Sequence, residues 1–132
     1  MQNTSPMTST LLMPMIKVKF RTHDATRYLR LTIEGHAGQD TKGHDLVCAS
    51  ASILAYTVAQ VVQAMEHHGD LNGKPCIDIK DGDASIILRC KNDDIYAEAR
   101  HTFFVAQTGY NLLAHNFPQY VEVKSVGQAD KP

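Results

Sequence analysis

Residues 16–33 read IKVKFRTHDATRYLRLTI, and this stretch decides the class of fold. Apolar residues alternate with charged or polar ones over residues 16–21 and again over residues 29–34, as they do in strands that bury only one face. A short polar segment joins the two runs. The sequence therefore predicts an antiparallel β-hairpin at this point of the chain.

A second hairpin is predicted further along the chain. Residues 77–79 and 84–88 show the same alternation on either side of Asp81-Gly82, which is a strong two-residue turn signal. A last strand is predicted over residues 120–126, after Pro118. Five strands are thus expected.

Two stretches between the strands repeat apolar residues at the helical period. The first is predicted as a helix over residues 46–68, with Asp45 as its N-cap and Gly69 just beyond its end. The second is predicted over residues 93–116, closed by Pro118. The predicted apolar stripes are Leu46, Ile53, Leu54, Thr57, Val58, Val61, Val62 and Met65 in the first helix, and Ile95, Ala99, Phe103, Ala106, Tyr110 and Leu113 in the second.

The element order β-β-α-β-β-α-β predicts an α+β fold, a two-layer sandwich in which two helices cover one face of a mixed sheet. The order of the strands in that sheet does not follow from the sequence. We expect a single domain over residues 15–126, preceded by a disordered tail at residues 1–14 and followed by a short tail at residues 127–132.

The composition is that of an ordinary globular domain. The 132 residues carry a formal net charge of −1, which argues against a protein held to nucleic acid by charge alone, and we expect no direct nucleic-acid binding. No signal peptide and no membrane partner are expected, and the three cysteines lack a C-x-x-C pair. The sequence therefore predicts free thiols and a cytoplasmic protein.

Cys48 is the first candidate for chemistry. With Asp45 as the cap it is predicted at the third position of the helix, where free backbone N–H groups and the helix dipole favour a thiolate. A glycine-rich loop precedes it and would let a substrate backbone approach closely. The alternative is a buried structural cysteine on an apolar helix.

A cysteine nucleophile needs a base, and two histidines are near in sequence. His36 is predicted at the end of the second strand, and His44 lies four residues before Cys48. A zinc site formed by His44 and Cys48 with Asp40 or Asp45 would lack a fourth ligand of suitable spacing, so we expect neither a metal nor another cofactor.

Two motifs resemble a known family. The segments GHAG at residues 35–38 and GHDLVCASAS at residues 43–52 are similar to the signature of the ribosomal-processing cysteine proteases called Prp, a G-H-A element followed by a glycine-containing loop and G-x-D-[IV]-V-C-A-[AS]-x-S. The resemblance extends from residue 15 to about residue 126 and includes NFPQYV at residues 116–121. Ser50-Ala51 replaces the commoner Ala-Val, which removes no reacting group.

The resemblance implies a homodimeric cysteine protease that removes the N-terminal extension of large-subunit ribosomal protein twenty-seven. It implies Cys48 as the nucleophile and His36 as the general base. Asp45 and Ser52 match supporting positions, although a plain N-cap and an ordinary helical serine explain them equally well. The glycines implied in the substrate loop are Gly35, Gly38 and Gly43.

The leading hypothesis is a peptidase in which Cys48 attacks the scissile carbonyl after His36 accepts its proton, with backbone N–H groups at the helix start, Cys48's own among them, binding the oxyanion. The alternative is a non-catalytic, ribosome-associated peptide-binding module with a structural cysteine. In that case the row of Lys17, Lys19 and Arg21 could contact ribosomal RNA, although such a row is more often a solvated face.

Overall fold

The computed structural model describes residues 15–35 and 44–127, and every structural statement below refers to them. The predicted tail at residues 1–14 lies outside these ranges, as do residues 36–43 of the glycine-rich loop and residues 128–132. The side chains of His44 and Asp45 lie outside the described part as well.

The elements follow the predicted order β-β-α-β-β-α-β. A single 3-10 turn, Asp24–Thr26, interrupts the first hairpin between its two strands. The elements are β1 Ile16–His23, β2 Tyr28–Glu34, α1 His44–His67, β3 Cys76–Lys80, β4 Asp83–Arg89, α2 Asp93–Asn116 and β5 Val121–Gly127.

The strands form one mixed sheet in the order β3-β4-β2-β1-β5. β5 runs parallel to β1, and all other neighbours are antiparallel. Because β2 pairs with β4, Glu34 at the end of β2 lies opposite Asp83 at the start of β4. The C-terminal end of the first hairpin and the turn of the second hairpin therefore lie at the same end of the sheet's strands.

Both helices cover the apolar face of the sheet, as predicted. Phe20 of β1 contacts the rings of Phe103 and Tyr110 on α2 edge-on, with ring centroids 6.1 Å and 5.9 Å away. The α2 bounds agree with the predicted range of residues 93–116, because the Asn92 side chain accepts the N–H of Ile95 and so caps the helix. Within the predicted stripe, Ile95 is only partly buried, and its neighbour Tyr96 is buried instead.

The predictions for α1 need two corrections. The helix begins at His44, so Asp45 is its second residue rather than its N-cap. The predicted stripe is also wrong at Leu46 and Ile53, which are 59% and 62% exposed, although Val58 and Val62 are buried as predicted. The helix approaches the sheet through alanines and valines, and the alanines are too small to stand out in an apolar pattern. The buried residues are Val47, Ala51, Ala55, Val58, Ala59 and Val62.

Within the described ranges, α1 is the one helix long and apolar enough to cross a membrane, over Leu46–His67. Length and composition alone are weak evidence, since the core helices of globular proteins pass the same test. Here Val47 and Val58 of the same segment are fully buried in the core.

Candidate active site around Cys48

Cys48 lines a small pocket at the end of the sheet where β2 terminates. Its side chain is half-buried, and the pocket has a volume of about 70 Å³. Three parts of the fold meet there: the first turns of α1, the start of β1 together with the end of β2, and the β3–β4 turn. The lining residues are Ile16, Ile33, Gly35, Cys48, Ala51, Ser52, Ala55, Ile79, Lys80, Asp81, Gly82, Asp83 and Ala84.

The α1 wall is built from one helical row. Cys48, Ser52 and Ala55 are separated by four and three residues, so they lie above one another on the same face of the helix. Ala51 and Ala55 are small enough to let the helix approach the sheet, and both are buried. The Cys48 sulfur is therefore attached to a well-packed element rather than to a loop.

Gly35 forms the opposite rim, and only glycine fits there. Its φ of +98° lies in the left-handed region, and a Cβ at this position would be 2.2 Å from the carbonyl oxygen of Met15. Its N–H donates a 3.0 Å hydrogen bond to the carbonyl of Gly82 in the β3–β4 turn. The residue that follows is His36, so the chain leaves the pocket rim directly into the predicted base.

The described residues bring together three of the predicted site residues, Cys48, Ser52 and Gly35. Ser52 is exposed, and no hydrogen bond joins it to Cys48 in the described part of the chain. His36, Gly38 and Gly43 lie outside the described residues, as does the side chain of Asp45. The pairing of His36 with Cys48 therefore stays a prediction.

The true start of α1 changes the prediction about free amide groups. In a helix only the N-cap and the first three residues have N–H groups without an intrahelical partner. Cys48 is the fifth residue of α1, and its N–H bonds in the regular pattern to the carbonyl of His44. The predicted third position and the predicted free amide of Cys48 are therefore wrong, and the free amides of the first turn belong to residues 44–46.

The β3–β4 turn is the part of the pocket that the sequence analysis missed. It places Lys80, Asp81 and Asp83 beside Cys48, all of them exposed. The Asp81-Gly82 turn itself is predictable, and Gly82 has the positive φ of +79° that favours glycine. Its place beside Cys48 follows only from the pairing of β2 with β4, which no local sequence signal reveals.

The other two thiols lie away from this pocket. Cys76 is exposed on the edge strand β3, and Cys90 is buried. Burial raises the pKa of the Cys90 thiol to about 11, with a further rise from Asp70 and a smaller opposing effect of Arg27. Cys90 is therefore a weak nucleophile near neutral pH.

No metal site is apparent in the part of the chain that the structure describes. Residues 15–35 and 44–127 contain no group of three or more His, Cys, Asp or Glu side chains placed to hold an ion.

Known structures share this architecture. A Streptococcus mutans protein, SMU.848, superposes with a TM-score of 0.60 at 26% identity, over 86% of this chain and 96% of that one. The Staphylococcus aureus ribosomal processing protease Prp in complex with a substrate peptide gives 0.58 at 21% identity, over 84% and 99%. The same S. aureus protease with a covalently linked product peptide gives 0.57 at 23% identity, over the same shares. At these identities the two S. aureus structures support the fold.

The search of curated proteins found no significant match. The sequence profile of the family described as Cysteine protease Prp, in contrast, matches residues 15–122, which include Cys48, Ser52 and both glycine-containing motifs. This match spans most of the chain and ends at the second residue of β5, and the chain belongs to the cysteine protease Prp family.

Proposed function

We propose that this protein is a ribosomal processing peptidase that removes the N-terminal extension of large-subunit ribosomal protein twenty-seven, with Cys48 as nucleophile and His36 as general base. The observation that carries the proposal is the position of Cys48. Its half-buried side chain shares a pocket with Gly35, the residue immediately before His36. The family supports the reaction class, and the S. aureus protease with a substrate peptide supports a peptide partner.

The chemistry proceeds in two steps. His36 accepts the thiol proton, the Cys48 sulfur attacks the scissile carbonyl carbon, and the proton passes to the departing amine as the peptide bond breaks. The acyl group is left as a thioester on Cys48. A water molecule then loses a proton to His36 and attacks the thioester, and the proton returns to the sulfur as the carboxylic acid leaves.

The oxyanion of each step needs hydrogen-bond donors. In this proposal they are the amides at the start of α1, because the N–H groups of residues 44–46 have no intrahelical acceptor and the positive end of the helix dipole lies there. Asp45 belongs to this turn and would hold its conformation. Ser52 would position the substrate backbone from within the pocket.

The substrate is tested directly with purified proteins. Ribosomal protein twenty-seven carrying its extension is incubated with the enzyme, and mass spectrometry locates the new N-terminus. The wild type and Cys76→Ala should release the extension, because Cys76 lies outside the pocket, whereas Cys48→Ala should not. Cleavage by Cys48→Ala at the wild-type rate would refute the nucleophile assignment.

A peptide-binding assay distinguishes the peptidase from a non-catalytic binding module. Cys48→Ser should lose turnover and keep affinity for a fluorescent peptide that spans the extension. A wild type that binds this peptide without cleaving it would favour the non-catalytic module.

A homodimer and a cytoplasmic location complete the proposal. Six large apolar side chains on the two helices are exposed, which supports a further copy packing against them; they are Leu46, Ile53, Tyr56, Phe104, Val105 and Leu112. Light scattering after gel filtration should give twice the chain mass. Ile53→Asp should shift it to the monomer mass, and a wild type that is already monomeric at micromolar concentration would contradict the dimer.

A further inference from the structure

The face of the sheet opposite the helices is not covered by any described element. The strand register places several positively charged side chains of this face directly opposite one another. Arg21 of β1 lies directly opposite Arg30 of β2, and Lys19 of β1 lies directly opposite Lys124 of β5. Arg89 of β4 lies one row further, opposite Tyr28. We call these five cations, Lys19, Arg21, Arg30, Arg89 and Lys124, the cationic patch.

Most acidic side chains of this face lie at the other end of the strands. Asp83, Glu34 and Glu122 share one row, in which Lys17 lies between Glu34 and Glu122. Asp78 of the edge strand β3 is the exception, and Ser85 and Thr32 separate it from Lys19 in the same row. The rows of β1, β2 and β5 that hold the patch contain no carboxylate. Positive and negative side chains are therefore concentrated at different ends of this face, although the net charge of the chain is only −1.

Like charges directly opposite each other destabilise a sheet. The Arg21–Arg30 and Lys19–Lys124 pairs are both of this kind and share the strand β1. In the described part of the chain, Lys19, Arg21 and Arg30 take part in no ion pair, and Lys124 reaches only Glu122, at 3.5 Å on the exposed surface. The Nε of Arg30 is buried without an acceptor. Internal contacts therefore do not explain why these cations are placed together.

The shape and chemistry of the patch fit a phosphate backbone. Two adjoining depressions share Arg21. One, of about 140 Å³, is also lined by Lys19, Arg30 and Thr32, with Glu34 as its one acidic residue, and the other, of about 480 Å³, contacts Tyr28 and Arg89. The Arg89 guanidinium lies over the Tyr28 ring, 5.4 Å from its centroid. Arginine and tyrosine planes are the surfaces on which the bases of single strands stack.

We propose that the open sheet face binds single-stranded nucleic acid, with the phosphates over the cationic patch and a base at Tyr28. This surface is separate from the pocket of Cys48, since the patch projects from the sheet face that the helices do not cover. The proposal does not depend on the peptidase activity.

The test is fluorescence anisotropy with a labelled single-stranded RNA oligonucleotide of mixed sequence. Binding should weaken as the salt rises from about 50 to about 200 mM, because phosphate contacts release counterions. Arg21→Gln/Arg30→Gln should weaken binding roughly tenfold and reduce the salt slope by about 1.4, the value for two lost contacts to a single strand. Lys19→Gln/Lys124→Gln should have the same effect independently.

The matched control is Lys74→Gln/Lys80→Gln, which removes the same charge away from the patch. Lys80 even projects from the same sheet face, at its acidic end opposite Asp83. This control variant should bind the RNA as tightly as the wild type does. The patch variants should still cleave the peptide substrate, which shows that they fold.

Three results would overturn the proposal. They are the absence of salt-dependent RNA binding by the wild type, an equal loss in the Lys74→Gln/Lys80→Gln control, and displacement of the RNA by poly-glutamate at equal charge concentration. The last result would identify the patch as a site for acidic peptides.

Discussion

The hydroxyl of Tyr110 donates a 2.8 Å hydrogen bond to the backbone carbonyl of Ala51. Tyr110 is fully buried on α2, and Ala51 lies on α1 three residues after Cys48. The bond fixes the two helices against each other one turn from Cys48. It is one of the few polar contacts inside an otherwise apolar interface, and burial raises the pKa of the Tyr110 hydroxyl well above its usual range.

We therefore expect Tyr110→Phe to lower the free energy of unfolding by about 1 kcal/mol, the net worth of one buried hydrogen bond. The loss stays this small because Ala51 keeps its helical bond. Urea unfolding measures it, and Tyr56→Phe is the control, since Tyr56 is exposed. Equal stability of Tyr110→Phe and the wild type would show that the bond contributes nothing.

Gly35 gives a second prediction. Gly35→Ala should destabilise the protein more than Gly73→Ala does. Both glycines have positive φ, +98° and +92°, so both variants incur left-handed strain of about 1–2 kcal/mol. Only at Gly35 would the new Cβ also collide with the Met15 carbonyl, because nothing lies within 4 Å at Gly73.

The collision should also displace the rim of the Cys48 pocket. Peptide cleavage should therefore fall in Gly35→Ala and remain near the wild-type rate in Gly73→Ala. Equal destabilisation in the two variants would mean that the Met15 contact relaxes without cost.

The thiols provide a third prediction. Cys48 should react with iodoacetamide faster than Cys76 or Cys90 near neutral pH. Cys90 is protected by burial, so the informative comparison is with Cys76, which is exposed on an edge strand but has no helix end beside it. Peptide mapping after brief labelling measures the three rates. Faster modification of Cys76 would show that exposure alone, rather than the environment of the pocket, governs reactivity.

Cys90 also predicts how stability changes at alkaline pH. Its pKa of about 11 in the folded protein exceeds the ordinary value of 9.0, so the folded state holds the thiol proton more tightly than the unfolded state. The resulting stabilisation is complete below pH 9 and is lost as the pH rises towards 11. Tyr96 and Tyr110 also have raised pKa values and add a loss of their own at higher pH.

The Cys90→Ala variant isolates the cysteine. Its free energy of unfolding should fall less steeply between pH 9 and pH 11 than that of the wild type, whatever its absolute stability. Parallel pH profiles for the two proteins would contradict the raised pKa.

Local signals predicted much of this fold. The Asn92 side chain and Pro118 lie at the two ends of α2, and the predicted bounds of that helix are the observed ones. The predicted start of α1 is two residues late, because Asp45 is a favourable N-cap residue by type, whereas the helix already includes His44. Its buried stripe was predicted only in part, at Val58 and Val62, because alanines make up half of it and the larger Leu46 and Ile53 are exposed.

Only part of the candidate site could be predicted from the sequence. Cys48 and Gly35 could be singled out from the motifs. The wall formed by Lys80, Asp81 and Asp83 could not, because it depends on a pairing between β2 and β4 across about fifty residues of chain. Local preferences say little about such long-range pairing.

The last prediction concerns the choice of base. His36 and Cys48 share one proton transfer in the proposed reaction, so removing either should cost nearly as much turnover as removing both. His36→Ala should reduce cleavage by about 10²–10⁴-fold, Cys48→Ala should abolish it, and the double variant should be no worse than Cys48→Ala. His44→Ala is the matched control, because His44 is also a histidine near Cys48 but lies one helical turn before it on α1. It should keep most of the activity in a cleavage assay with a peptide that spans the extension. If His36→Ala cleaves at the wild-type rate and His44→Ala does not, the base is His44, and the helix rather than the loop supplies both reacting groups.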